Sequence, residues 1–206
     1  MNAKTVSWYF AAWVALSALS IAFVDRAASS WSYAHLHAVR MSAFDWATHL
    51  VDPLQALALA ALAVIGVRAL ASDWRPAGHW RTLLIGAVAV LVAVAFKEQL
   101  KYLFGRTWPE TWVNHNPSWI GSGAYGFHFH HGGAGWASFP SGHLTQSSAV
   151  GETLWLRAPK LRWLAILFPL LVAIGLFGCD YHFVGDMIAG GFLGAGVALA
   201  AARLLG

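Results

Sequence analysis

FPSGHLTQSSAVGETLWL, residues 139–156, is the stretch on which the reading of this chain turns. Pro140 suits the first position of a helix, and Gly142 bares its backbone N–H. Together they predict a helix start whose free N–H groups and positive dipole end hold an anion such as phosphate. His143 falls in that first turn, placed to move a proton. From His143 to Leu156 the segment carries Thr145, Gln146, Ser147, Ser148 and Glu152. Hydropathy alone would not make it a membrane helix, yet a helix shielded from lipid by its neighbours can be this polar.

The rest of the chain supplies those neighbours. Of its 206 residues, 58% are hydrophobic and 11% charged, with a mean hydropathy of +0.57, too apolar for an ordinary soluble domain. Apolar runs occur at Val6 to Val24, Leu54 to Leu70, Leu83 to Phe96 and Leu161 to Phe177, and a Gly-rich one at Phe183 to Leu205, each near bilayer length. With the hidden helix this predicts an all-α polytopic membrane protein, six transmembrane helices in one bundle, as a single domain over residues 1–206. The first run resembles a signal peptide, with Lys4 ahead of it and Ala27-Ala28 after it, but it is long enough to span and reads as an uncleaved helix. Gly190 and Gly194 form a small-xxx-small pair, a signal for close helix packing.

A formal net charge of +4 would admit a nucleic-acid partner, but the distribution of the basic residues argues against one. With a cytoplasmic N-terminus, Lys4, Arg68, Arg75, Arg81, Arg157, Lys160, Arg162 and Arg203 all fall inside, eight of the thirteen Lys and Arg, and both termini are cytoplasmic. Arg26 and Arg40 stay outside, as does a cluster of Lys97, Lys101 and Arg106. Lys97 and Lys101, four apart on a helix, repel unless something anionic lies between them. The connection from Asp25 to Asp52 reads as a partly helical interfacial segment. That from Gly105 to Ser138, with seven Gly and two Pro, reads as a lid or mouth. Cys179 is the only cysteine, so no internal disulfide forms.

A second stretch answers the first: His182-Phe183-Val184-Gly185-Asp186. On a helix this spacing puts His182 and Asp186 on one face, the carboxylate holding one ring nitrogen and leaving the other free to attack. His128, His130 and His131 could suggest zinc, but no cysteine accompanies them and adjacent histidines rarely point to one centre. They read as lining the mouth. Glu152 reads as a buried hydrogen-bonding residue, and Trp108 and Trp112 as interfacial packing.

The two stretches, in this order on membrane helices and preceded by a Lys and Arg segment, resemble the type-2 phosphatidic acid phosphatase superfamily. Its motifs are K-x6-R-P, P-S-G-H and S-R-x5-H-x3-D. The second is intact at Pro140 to His143, and the third keeps His182 and Asp186. Counted from Lys101, however, the first-motif Arg falls on Trp108, followed by the expected Pro109, and the third-motif Arg falls on Leu176. The resemblance implies that His182 attacks phosphorus, Asp186 orients and stabilises it, and His143 protonates the departing lipid oxygen. Lys101, Arg106, Ser141 and Gly142 would hold the phosphate, with Arg106 replacing the guanidinium missing at position 108. It implies no metal and no cofactor. The substrate would be a lipid phosphate or polyprenyl pyrophosphate, drawn from the membrane lipids at the outer face of a bacterial-type inner membrane, with the site facing the periplasm or exterior. A lipid-to-lipid phosphotransferase and a catalytically silent lipid- or anion-binding or transport protein are the alternatives.

Overall fold

A computed structural model describes residues 3–112 and 115–206. No Gly or Pro interrupts the sequence between Ala3 and Asp52. Helix α1 accordingly runs through Ala3–Leu19, a π-helical turn at Ser20–Val24 and Asp25–Leu36 without a break. The predicted interfacial segment is therefore helical from its start, and continues as short helices at Arg40–Ala43 and Asp45–Thr48. The other long helices are α2 (Leu54–Ala71), α3 (His79–Phe104), α4 (Gly142–Arg157), α5 (Arg162–Gly178) and α6 (Val184–Leu205). Among the described residues pairing of β type is confined to isolated bridges within the loop after α3.

Five segments, Lys4–Leu36, Asp45–Ala71, His79–Phe104, Pro159–Gly178 and Val184–Leu205, are long and apolar enough to cross a membrane. The molecule is a multi-pass membrane protein. Its outward face carries residues such as Trp8, Phe23 and Leu70, each more than three-quarters exposed and suited to lipid. Helix α4 is shorter and more polar than these five. It packs against α3, α5 and α6, and it buries Thr145, Gln146, Ser147 and Thr153. Thr145 Oγ1 donates to the Ser141 carbonyl (2.8 Å) and Thr153 Oγ1 to that of Ala149 (2.8 Å), so these two hydroxyls enter the bundle already paired.

The contact of α4 with α6 fixes the site. Gly190 and Gly194 lie backbone to backbone against the Ser141 and Thr145 carbonyls, leaving no room for a Cβ at either position. Ser141 N–H also donates to the Asp186 carbonyl (3.0 Å), tying the two helix starts together.

Candidate active site

Helix α4 begins at Gly142, two residues later than the sequence suggests. Ser141 is its N-cap, with an extended backbone and its hydroxyl accepting from Leu144 N–H (3.5 Å), so Pro140 lies ahead of the helix rather than in its first position. His143 still falls in the first turn. His182 precedes α6 and does not share a helical face with Asp186. Phe183, the N-cap, is extended (φ −64°, ψ 154°), and Asp186 at the third helical position reaches back to accept from Phe183 N–H (3.1 Å). The spacing thus acts through capping geometry, which curls the carboxylate toward the preceding imidazole.

The imidazoles of His143 and His182 face each other with ring centroids 6.2 Å apart. Asp186 Oδ2 lies 3.5 Å from His182 Nδ1, at the limit of a hydrogen bond, and Nδ1 has no better partner among the described residues. Burial pushes the His182 imidazole below its ordinary value, against the opposing pull of Asp186, so the ring is held neutral with a lone pair available. Asp186 Oδ2 also accepts from Ser138 Oγ (2.6 Å).

The cations do not share one environment. The Lys97 ammonium lies at the start of α4, 3.1 Å from where a Cβ on Gly142 would stand, and it pairs with Glu98. Lys101 Nζ sits 5.9 Å from the centroid of Trp108, whose ring is in turn 5.2 Å from that of His182. Trp108 thus lies against His182, with its indole N–H donated to the Ala134 carbonyl (2.8 Å). Leu176, where the family motif has Arg, is wholly buried in an apolar cluster with Leu144, Val172 and Met187.

Arg106 stands apart. Its side chain is fully buried, one terminal nitrogen paired with Asp186 Oδ1 and the other with Asp25 Oδ2 (2.6 Å) and Tyr125 Oη (2.9 Å). The rings of Tyr125, Phe127 and Phe183 enclose the guanidinium at 5.2, 4.9 and 4.6 Å. Burial would lower its pKa, but Asp186 and Asp25 more than offset this and the group stays charged. Both terminal nitrogens are committed to carboxylates, a placement that does not suit a phosphate grip. Burial pushes the Tyr125 phenol up to about 12, and it donates to the Ile21 carbonyl in the π-helical turn (2.5 Å). Sequence reading missed Asp25, Tyr125 and Ser138. A carboxylate directly after an apolar run was the one available signal, and only for Asp25.

Of the other expectations, His128 and His131 both pack on Trp136, at 4.2 and 4.6 Å, instead of converging on a common centre. Glu152 is half-buried at a groove of about 200 Å³ that it lines with Ser148 and Trp155. Trp112 lies between the Arg40 guanidinium (4.5 Å) and Tyr181 (4.6 Å), and Arg40 is paired with Glu110.

Near this cluster Asp180 is buried, with φ +55° and a hydrogen bond from Ser29 Oγ (3.0 Å). Burial pushes its carboxyl up to about 7, against the Ser29 hydrogen bond. A carboxyl raised in the folded state costs stability as pH climbs above its unfolded value, and the cost is complete above about 7. Asp180→Asn keeps the Ser29 contact and tolerates the positive φ. It should melt higher than the parent at pH 8, with the gap closing near pH 4; an equal gap at both pH values would show that Asp180 does not titrate this way.

Compared with known proteins, the PAP2 superfamily model matches residues 82–206, more than half of the chain. A solved structure described as the first transmembrane PAP2 type phosphatidylglycerolphosphate phosphatase from Bacillus subtilis superposes with a TM-score of 0.48 at 21% identity, covering 96% of this chain and 94% of that one. No curated protein matches the sequence.

Proposed function

The chain belongs to the PAP2 superfamily, and on that premise we propose that it hydrolyses a lipid phosphate monoester or pyrophosphate through a phosphohistidine. The observation that carries the reading is the pair of imidazoles at two helix starts, 6.2 Å between centroids, with Lys101 and Lys97 near them. A phosphoryl group between the rings meets a neutral nucleophile on one side and a proton carrier on the other. The free ring nitrogen of His182 forms a bond to phosphorus while the bond to the lipid oxygen breaks, and His143 gives that oxygen its proton. Water then attacks phosphorus, His143 takes a proton from it, and the P–N bond breaks to release inorganic phosphate. Charge on the phosphoryl oxygens is met by the Lys101 and Lys97 ammonium groups and by the N–H groups of Gly142 and His143 at the start of α4, with Ser141 fixing that start; no metal is called for. Arg106, paired with Asp186 and Asp25, supports Asp186 instead of holding the phosphate.

We read α4 as a sixth span, shielded by α3, α5 and α6, so that both termini share one side; the distribution of basic residues supports the cytoplasmic side for them and the outer face of a bacterial-type inner membrane for the histidines. Accessibility labels test this: cysteines introduced at Ser72 or Ala158 should react only from the cytoplasm and one at Ser122 only from outside. Reversed labelling would move the chemistry to the inner leaflet.

The reaction itself is tested by phosphate release from polyprenyl pyrophosphate, phosphatidate, phosphatidylglycerol phosphate and lipid A. At least one should be turned over without added metal. In His143→Ala the loss should be large, roughly 10²- to 10⁴-fold, for a lipid alkoxide and smaller for a pyrophosphate, whose leaving group needs no proton. Equal losses for all substrates would remove His143 from the acid role. Transfer to a second lipid with no phosphate released would favour the phosphotransferase.

A further inference from the structure

Two carboxylates and one guanidinium lie fully buried in a row behind the catalytic pair: Asp25 on α1, Arg106 in the loop after α3, and Asp186 on α6. Every carboxylate oxygen is held. Asp25 Oδ1 accepts from Ser20 Oγ (2.9 Å) and from Gly185 N–H (2.7 Å), the amide next to Asp186, and its Oδ2 takes Arg106. Asp186 gives Oδ1 to Arg106 and Oδ2 to Ser138 and Phe183 N–H, with His182 beside it. The aromatic rings around Arg106 keep water from screening these charges.

We propose that Asp25 and Arg106 are positioning residues for the reaction: Arg106 fixes the Asp186 carboxylate, and Asp25 offsets Arg106 so that Asp186 keeps its effective charge toward His182. Arg106 alone beside Asp186 would cancel the negative charge that His182 needs when it becomes cationic on attacking phosphorus. Two carboxylates against one guanidinium leave one negative charge, which matches the single positive charge His182 acquires. Asp25 also grips the Gly185 amide, so the carboxylate that supplies the charge braces the same helix start that carries Asp186. The inference rests on His182 being the nucleophile.

The groups facing His182 are Asp186 from its own segment, His143 on α4, and Lys101 on α3, and the test leaves all of them intact. The pH profile of kcat/KM is measured on purified full-length protein, with a short-chain phosphatidate as the probe, for the parent, Asp25→Asn and Asp25→Asn/Arg106→Gln. Removing the Asp25 charge disfavours the cationic imidazole. Asp25→Asn should therefore lose about tenfold in kcat with little change in KM, and its acid limb should move to lower pH by about half a unit to one unit. The double variant again has one negative charge beside His182, and its limb should return to the parent position. Asp25→Ser serves if the amide does not fit, with the same displacement expected because charge and not shape sets it. A limb that stays in place while only the amount of active protein falls would make Asp25 merely structural and overturn the proposal, as would a double variant whose limb does not return. His182→Ala is run alongside. Turnover in that variant overturns the nucleophile assignment itself, whereas a dead His182→Ala with an unmoved Asp25→Asn limb overturns the positioning role alone.

Discussion

His182→Ala should lose roughly 10⁴-fold or more in turnover, because the acceptor of the phosphoryl group is gone and no neighbouring group replaces it. His143 is held in the first turn of α4 with its ring centroid 6.2 Å away. The variant should remain folded, since His182 Nδ1 forms no close hydrogen bond and the ring mainly packs against Trp108. The measurement is phosphate release together with acid-quench trapping of phosphoenzyme, which should disappear in step with turnover. Release near the parental rate would end the phosphohistidine reading, however the lipid panel turned out.

Arg106→Ala should be the most damaging substitution for the fold. It leaves Asp25 and Asp186 facing each other in a dry pocket with their common counter-ion removed, and breaking a buried pair in this way costs about 3–5 kcal/mol. Against a total of about 5–15 kcal/mol for a typical protein, that is enough to lower the melting temperature sharply and to reduce the yield of folded protein. Adding Trp108→Arg rebuilds the family's first motif but should not rescue the protein. A guanidinium at position 108 would stand where Trp108 now packs on His182, and would not replace the contacts that Arg106 makes with Asp25 and Asp186. Thermal melting and phosphate release on both variants decide the matter. Recovery of activity in the double variant would put Arg106 in the phosphate site after all.

Five of the spans and both halves of the histidine site were legible in the sequence, because apolar length and local spacing need no tertiary information. The start of α4 lies two residues beyond the one that Pro140 predicts, because the Ser141 hydroxyl caps the helix. His182 and Asp186 were correctly paired for an incomplete reason: an extended Phe183 and a capping contact bring them together, not a shared helical face. The partners of Arg106 could not be read. Asp25 is 81 residues before it and Asp186 80 after, and no periodicity encodes a contact assembled from three separate elements. The same holds for Trp108, whose position predicted a missing arginine but not an indole spread over His182 and Lys101. Leu176 is different in kind: its burial among Leu144, Val172 and Met187 shows that the vacant motif position has become core.

The row of Asp25, Arg106 and Asp186 also has an order in time, because the chain is made from its N-terminus. Asp25 is already present when Arg106 emerges, so a neutral pair is available to the growing bundle while the last helix is still unmade. Asp186 arrives with α6, and only then does the group acquire its surplus negative charge. On the proposed reading the half-built bundle already holds a carboxylate partner for its arginine, and the charge that His182 needs comes with α6.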